Sequence, residues 1–208
     1  SNWMVLDAAM IKVAVQLHHP TGRELRVLFD KFIGSVPFLY SFFVRTGNTL
    51  ACRENAERLL REEEAVLLFP EGARGAAKFY RDRHRLLRFG RGGFVRLALR
   101  ERTPIIPIAT LGFEELHPVI ANPKWLARLL SIPDVPITPS FPLLGPLGLI
   151  PPPVKCFIQF GRPIRFDENP PSGADDDPLV HRLSEKVRLI IQDMFYRMLA
   201  RRQSVWFG

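Results

Sequence analysis

Cysteine is scarce in this chain of 208 residues, and long apolar runs are missing. Two cysteines, Cys52 and Cys156, are too few for a disulfide framework or a cysteine metal site, so we expect a reducing compartment and no metal. No uninterrupted apolar stretch reaches the roughly 18 residues that a helix needs to span a bilayer. Acidic residues are outnumbered, with 21 Asp and Glu against 29 Lys and Arg, which gives a net charge of +8. That balance suits an anionic partner, such as a phosphorylated substrate, an acidic membrane surface or nucleic acid.

The length favours one domain over 1–208, with enough chain to bury a core. The sequence starts at Ser1 without an initiator Met or a signal-like segment. We therefore expect an N-terminally truncated domain, which leaves room for an upstream membrane anchor.

Strand-like and helix-like patterns alternate along the chain. Strands are expected at 24–29, 49–52, 65–69, 103–109 and 154–160, and helices from Asp7 to Leu17, within 30–44, at 54–64, at 94–101, within 116–130 and from 179 onward. The alternation predicts an α/β fold, a single domain with a mixed, mostly parallel sheet flanked by helices. The last element, within 179–208, is an amphipathic helix whose basic end also suits a membrane surface.

The segment 65–75 joins a strand to a charged turn. Its apolar start predicts a buried strand, and Pro70 ends the pairing because it has no N–H to donate. Glu71 and Arg74 then lie on a glycine-rich turn at the carboxyl end of that strand, where α/β sheets bind ligands. The plainer alternative is an ordinary surface ion pair.

Two further segments leave alternatives open. The basic stretch 75–93 is either a solvated loop or a cationic rim around an anion site. The apolar, proline-rich segment 132–153 is buried in protein, holds a lipid, or dips into a membrane interface. We also expect 170–178 to be a polar linker and most of the aromatic residues Phe38, Tyr40, Phe42 and Phe43 to belong to the core.

Four ordered motifs make the chain resemble the glycerolipid acyltransferase superfamily, the lysophospholipid and 1-acylglycerol-3-phosphate acyltransferase type. Residues 69–75 match Phe-Pro-Glu-Gly-Thr-Arg-Ser with Ala73 and Gly75 substituted, and 47–53 match Gly-x-Ile-Phe-x-x-Arg in spacing and final Arg. Residues 105–107 match the fourth motif, and Asp7 matches the Asp of the first. Residues 94–98 and the Pro-Leu-Leu-Gly segment look closer to the diacylglycerol acyltransferase-like branch.

The resemblance implies a glycerolphosphate acyltransferase-like fold and assigns roles by position. Asp7 would orient a catalytic His, expected at Asn2 or upstream of Ser1, because no His precedes Asp7 here. Glu71 would act in catalysis and, with the neighbouring turn, shape the acceptor site. The acceptor and its phosphate would be held by Arg53, Glu71, Gly72, Arg74 and Arg91. The acyl groove would be lined by Leu143, Leu144, Leu147 and Leu149.

The resemblance also implies the partners. The donor would be acyl-CoA or acyl carrier protein and the acceptor a lysophospholipid or other glycerolipid, with no cofactor or metal. We expect the protein to lie on the cytoplasmic face of a membrane and to bind no nucleic acid. A second hypothesis is a basic module that binds lipid, or less plausibly nucleic acid, without catalysis. Steeply salt-dependent DNA binding without thioester turnover would favour the nucleic-acid form.

Overall fold

The computed structural model describes residues 6–20, 22–29, 39–72, 75, 78–123, 125, 137–140 and 143–206. Within these ranges, three strands form a parallel sheet in the order β2-β1-β3. Strand β1 is Leu25–Phe29, β2 is Thr49–Leu50 and β3 is Ala65–Leu67. Leu25 pairs with Ala65, and Leu28 pairs with Thr49. The predicted strands are confirmed here, although β2 and β3 end earlier than the apolar pattern indicated.

Helix α1, Leu6–His18, covers one face of this sheet. Its buried Ala8 and Ile11 pack in one cluster with Val27 of β1 and Leu67 of β3. Because only residues 19–24 separate α1 from β1, the chain must reverse between them, and β1 runs antiparallel to α1. The first turn of α1 therefore lies toward the carboxyl end of β1.

A second, two-stranded sheet is antiparallel. Strand β4, Ile108–Leu111, pairs with β5, Phe157–Phe160, and Ile108 lies opposite Phe160. The expectation of a strand over 103–109 is wrong in position: only Ile105 forms an isolated bridge, with Ile164. Pro104 and Pro107 have no N–H to donate, so a regular ladder starts only after the second of them.

Helix α2, Leu39–Arg45, follows β1 and corrects the expectation for the aromatic residues. Phe43 packs on Phe29 with ring centroids 5.3 Å apart, but Tyr40 and Phe42 are exposed. A helix of two turns buries one face only, so it cannot bring every aromatic residue into the core. Phe38 lies outside the described residues.

The remaining helices are α3 at Arg53–Arg61, α4 at Gly93–Arg100, α5 at Phe113–Leu116 and α6 at Asp177–Arg201. Asp176 caps α6, since its side chain accepts a hydrogen bond from the Leu179 N–H at 3.1 Å. The sequence predicts an amphipathic helix within 179–208. The helix ends at Arg201, and the described residues after it are not helical. Arg202 is extended, and its guanidinium binds the tail carbonyl of Val205 at 2.9 Å.

The predicted linker over 170–178 is exposed except at Gly173 and Ala174, which are buried. A short 3₁₀ turn at Pro171–Asp175 packs between α4 and α6, and Ala174 is completely buried. Arg100 of α4 forms an ion pair with Asp175. The acidic side chains stay solvated, with Asp175 exposed by 74%, and also form ion pairs with basic residues of α4.

Candidate active site

The parallel sheet brings three of the predicted site residues to one edge. Arg53 follows β2 by three residues, and Glu71 follows β3 by four. Parallel strands end at the same side of a sheet, and with β1 between them the two strand ends are about 10 Å apart. Asp7, in the first turn of α1, lies toward this edge as well. The sequence prediction of a site at the carboxyl ends of the strands therefore agrees with the placement of all three.

Asp7 is buried almost completely, with 1% of its surface exposed. Its Oδ1 accepts a hydrogen bond from the N–H of Ala8 at 2.9 Å. The first turn of a helix favours a carboxylate, because the N–H groups of that turn have no hydrogen-bond partner within the helix. A buried carboxylate held in this way suits the orientation of a neighbouring imidazole.

Glu71 points inward rather than into solvent. Its side chain is 6% exposed and lies 3.5 Å from the Nζ of Lys78, whose side chain is 4% exposed. The N–H of Leu87 donates a hydrogen bond to the same carboxylate oxygen, Oε1. Glu71 therefore joins the turn after β3 to two separate points of the basic stretch, and its carboxylate is buried, unlike that of an ordinary surface ion pair.

Two glycines make this arrangement of Glu71 possible. Gly72 has φ +61°, a conformation that L side chains rarely adopt. Gly75 lies so close to Glu71 that a Cβ on it would be 2.6 Å from the Glu71 Cβ and 2.7 Å from Oε2. The family motif that this segment resembles has Ser at the position of Gly75, and such a side chain would collide with Glu71 as it lies here.

The basic stretch is anchored at several points. Lys78 Nζ donates to the carbonyl of Arg85 at 2.9 Å, and Gly90 N–H donates to the carbonyl of Pro70 at 3.3 Å. From α6, Gln192 accepts from the N–H of Leu86 at 2.7 Å and donates to the carbonyl of His84 at 3.0 Å. These bonds fix the backbone, while the side chains of Arg81, Arg85, Arg88 and Arg91 remain exposed. The stretch is thus a fixed backbone that carries exposed cations, as a cationic rim requires.

Arg53 differs from Glu71 in its exposure. Its side chain is 61% exposed and its Nε binds Glu57 Oε1 at 2.6 Å, one turn along α3. This hydrogen bond raises the pKa of Arg53, so the guanidinium stays charged. The structure places the charge at the carboxyl edge of the sheet with one acidic partner and open access from solvent, which an anion-binding arginine needs.

The structure gives less information on the positions of the other predicted site residues. Arg91 is exposed and adjoins Gly90, whose hydrogen bond to Pro70 brings it beside the turn of Glu71. Arg74 and Asn2 lie outside the described residues, as does the side chain of Leu149. Leu143, Leu144 and Leu147 are exposed, so the alternative that their segment is buried in protein is wrong for them.

A groove of about 450 Å³ lies between 165–169 and α6. It is lined mainly by charged side chains, among them Arg165, Asp167, Arg182 and Lys186, and contains none of the predicted acyl-groove leucines. A charged groove does not suit an acyl chain, so the groove predicted for that chain stays a prediction.

Sequence reasoning missed Lys78 and Gln192, which hold the basic stretch in place. It also missed a buried ion pair between Glu115 of α5 and Arg202, whose Oε2 and Nη1 are 2.7 Å apart. Burial raises the pKa of the nearby Cys156 thiol to about 11, so this cysteine is a poor nucleophile. No sequence signal pointed to these contacts. Glu71 and Lys78 are seven residues apart, a spacing that matches none of the motifs above. Gln192 and Arg202 contact residues from distant parts of the chain.

A protein-family model for acyltransferases matches residues 2–111, which include three strands of the parallel sheet and the Glu71 turn. The chain belongs to the acyltransferase family. An uncharacterized protein of Mycobacterium tuberculosis is 44% identical over 202 residues, which cover 97% of this chain and 56% of that protein. A related protein of Mycobacterium leprae is 42% identical over 202 residues and is covered to 55%. The chain therefore spans little more than half the length of these relatives.

Two more distant comparisons concern lipid-synthesizing proteins. A mouse protein described as a DGAT1/2-independent enzyme synthesizing storage lipids is 26% identical over 164 residues, 76% of this chain and 44% of that protein. The crystal structure of the 1-acyl-sn-glycerophosphate acyltransferase PlsC from Thermotoga maritima superimposes with a TM-score of 0.50 at 16% identity, covering 86% of this chain and 58% of PlsC. At that identity the likeness shows the fold: a single domain with a mostly parallel sheet flanked by helices, as the sequence predicted.

The part of the chain that the structure describes contains no helix of sufficient length and hydrophobicity to cross a bilayer. The same residues contain no group of three or more His, Cys, Asp or Glu side chains arranged to hold a metal ion.

Proposed function

We propose that this protein transfers a fatty acyl chain from acyl-CoA or acyl carrier protein to the hydroxyl of a lysophospholipid or another glycerolipid, at the cytoplasmic face of a membrane. The observation that carries the proposal is the convergence of Asp7, Arg53 and the Glu71 turn at one edge of the parallel sheet. Membership of the acyltransferase family supports the reaction class.

The reaction requires a base, an oxyanion site and a place for the acceptor. The base takes the proton of the acceptor hydroxyl, whose oxygen then attacks the thioester carbonyl. When the tetrahedral intermediate collapses, the carbon–sulfur bond breaks, and the thiolate leaves and takes up the proton. Fixed N–H groups would stabilise the oxyanion, and the glycine-rich turn after Glu71 is the best source of them.

The base is assigned through Asp7 and the family pattern. We propose that Asp7 orients an imidazole, and its buried position supports this. The family pattern puts the histidine where this chain has Asn2, so we expect it there in relatives or upstream of Ser1 here. Arg53 would bind the phosphate of a phosphorylated acceptor, with Arg74 and Arg91 as further cations beside the Glu71 turn.

Thiol release from a long-chain acyl-CoA tests the proposal, with lysophosphatidate, other lysophospholipids, diacylglycerol and a long-chain alcohol as acceptors. The 208-residue chain is assayed beside Asp7→Ala. Acceptor-dependent release that Asp7→Ala abolishes supports an acyltransferase. The Asn2→His variant of the 208-residue chain is assayed in parallel and should gain turnover if position 2 is where the base belongs.

A non-catalytic lipid-binding module is the second candidate, and the asparagine at position 2 favours it. Lipid binding without thiol release to any acceptor, in the unchanged chain and in Asn2→His, would establish it.

A further inference from the structure

The segment 143–153, which we call the apolar loop, holds the leucines that the resemblance assigns to the acyl groove, yet several of its side chains are exposed. Its eleven residues include four prolines and no charged or polar side chain. Leu143, Leu144, Leu147 and Ile150 expose between 57% and 86% of their surface. Four such side chains in eight residues are unusual on a protein surface unless something covers them.

The loop is built to hold this shape. Ser140 accepts from the N–H of Leu144 at 2.8 Å through its carbonyl, and its hydroxyl donates to the carbonyl of Gly148 at 2.9 Å. The N–H of Ile150 donates to the carbonyl of Leu147 at 3.1 Å, which closes the 3₁₀ turn Gly145–Leu149. Hydrogen bonds to Ser140 and within the loop therefore fix a backbone on which Leu143, Leu144 and Leu147 are exposed.

The backbone of this loop also suits a low-dielectric surrounding. Prolines carry no N–H, and the N–H groups of Leu144 and Ile150 already donate to the carbonyls of Ser140 and Leu147. Each satisfied or absent N–H lowers the cost of removing the loop from water. A loop of this composition can enter a membrane interface at shallow depth, where carbonyls still meet water, without becoming a helix.

Further exposed side chains belong to residues linked to the chain on either side of the loop. Before the loop, Ile120 is 58% exposed, and its N–H donates to the carbonyl of Ile137 at 2.9 Å. On the other side, the exposed Lys155 donates its N–H to the carbonyl of Val205 at 3.1 Å, which brings the exposed Trp206 close. Tryptophan and lysine are typical of interfaces between apolar chains and headgroups.

We propose that the apolar loop inserts into one leaflet of a membrane with anionic headgroups and docks the protein there. The net charge of +8 and Lys155 beside the loop favour anionic lipid over neutral lipid. The inference rests on the proposed function only for its biological purpose, which is to bring the enzyme to lipid substrates; binding itself requires no turnover.

The test is sedimentation of the full chain with vesicles of phosphatidylcholine, alone or with 30% phosphatidylglycerol (about one lipid in three, a typical anionic fraction). We expect the double variant Leu143→Glu/Ile150→Glu to bind the anionic vesicles at least tenfold more weakly than the unchanged chain. The matched control is Leu189→Glu/Tyr196→Glu, which adds the same two charges at side chains of α6 that are 57% and 48% exposed. It should bind like the unchanged chain.

Three results would overturn the proposal. Equal vesicle binding by the double variant and the control would show that the loop does not dock. The double variant could lose a dimer, measured by sedimentation without lipid, while it still binds vesicles. The loop would then be a contact between two copies of the chain. Loss of binding to monomeric long-chain acyl-CoA with vesicle binding intact would make the loop part of the acyl site. Because no readout involves turnover, failure of the proposed chemistry leaves this result interpretable.

Discussion

The Glu71–Lys78 pair and the Arg53–Glu57 pair follow two strands of the same parallel sheet, yet their surroundings differ. Glu71 and Lys78 expose 6% and 4% of their side chains, whereas Arg53 exposes 61% and its partner Glu57 16%. Because water competes little with the buried pair, that pair can fix the position of a loop. The exposed pair leaves its arginine free to change partner when an anion arrives.

Burial also decides what each pair contributes to stability. Removing one partner of a buried pair leaves a charge without compensation, which is far more costly than the pair's own net contribution. Exposed pairs between side chains of one helix contribute little, because solvent screens the charges and ordering long side chains costs entropy. The two pairs should therefore separate clearly in unfolding experiments.

The largest effect is expected from Lys78→Met, which keeps the apolar stem but removes the charge beside Glu71. We expect the free energy of unfolding to fall by about 3 kcal/mol, as for other broken buried pairs. Chemical denaturation followed by circular dichroism measures this. Lys186→Met, on the exposed face of α6, is the matched control and should change little.

The same variant can be checked through its partner. In a Glu71→Gln background the buried charge is already gone, so Lys78→Met should cost clearly less than it does alone. Equal costs in both backgrounds would show that Glu71 and Lys78 do not interact in solution.

The next effect is expected from Gly75→Ala, which tests how tightly Glu71 is held. The new Cβ would lie 2.6 Å from the Cβ of Glu71, so the turn must shift, at a cost of about 1–3 kcal/mol. Gly90→Ala is the control, since a Cβ there meets nothing within 4 Å. Similar melting curves for the two variants would contradict the inward position of Glu71.

Gly72→Ala should have a smaller effect, of about 1 kcal/mol. A Cβ at Gly72 has open space, so the cost comes only from holding an L residue at φ +61°. Gly72→Asn should lose less than Gly72→Ala, because asparagine tolerates this conformation better. The two denaturation midpoints measure the difference, and the reverse order would indicate that the turn changes conformation in the variants.

The sequence was sufficient to predict the edge of the sheet where the motifs meet, because apolar runs end there at charged residues such as Arg53 and Glu71. It could not predict that Glu71 points inward, since Lys78 reaches it from an irregular segment with no periodic pattern. The partly buried turn before α6 was missed for a related reason. Its acidic residues are solvated, with Asp175 exposed by 74%, and the burial of Gly173 and Ala174 beside them depends on the distant helix α4.

The smallest effect on stability is expected from Glu57→Gln, which removes the acidic partner of Arg53. Glu57 is 16% exposed and its Oε2 also lies 3.8 Å from Nη2 of Arg61, but both arginines are mostly solvated, so the free energy of unfolding should fall by less than about 1 kcal/mol. The same change frees the guanidinium, and we expect KM for a phosphorylated acceptor to fall while KM for diacylglycerol stays constant. Arg53→Met should raise KM for the phosphorylated acceptor only. Parallel changes for both acceptors would mean that Arg53 acts through the fold of α3 and binds no phosphate.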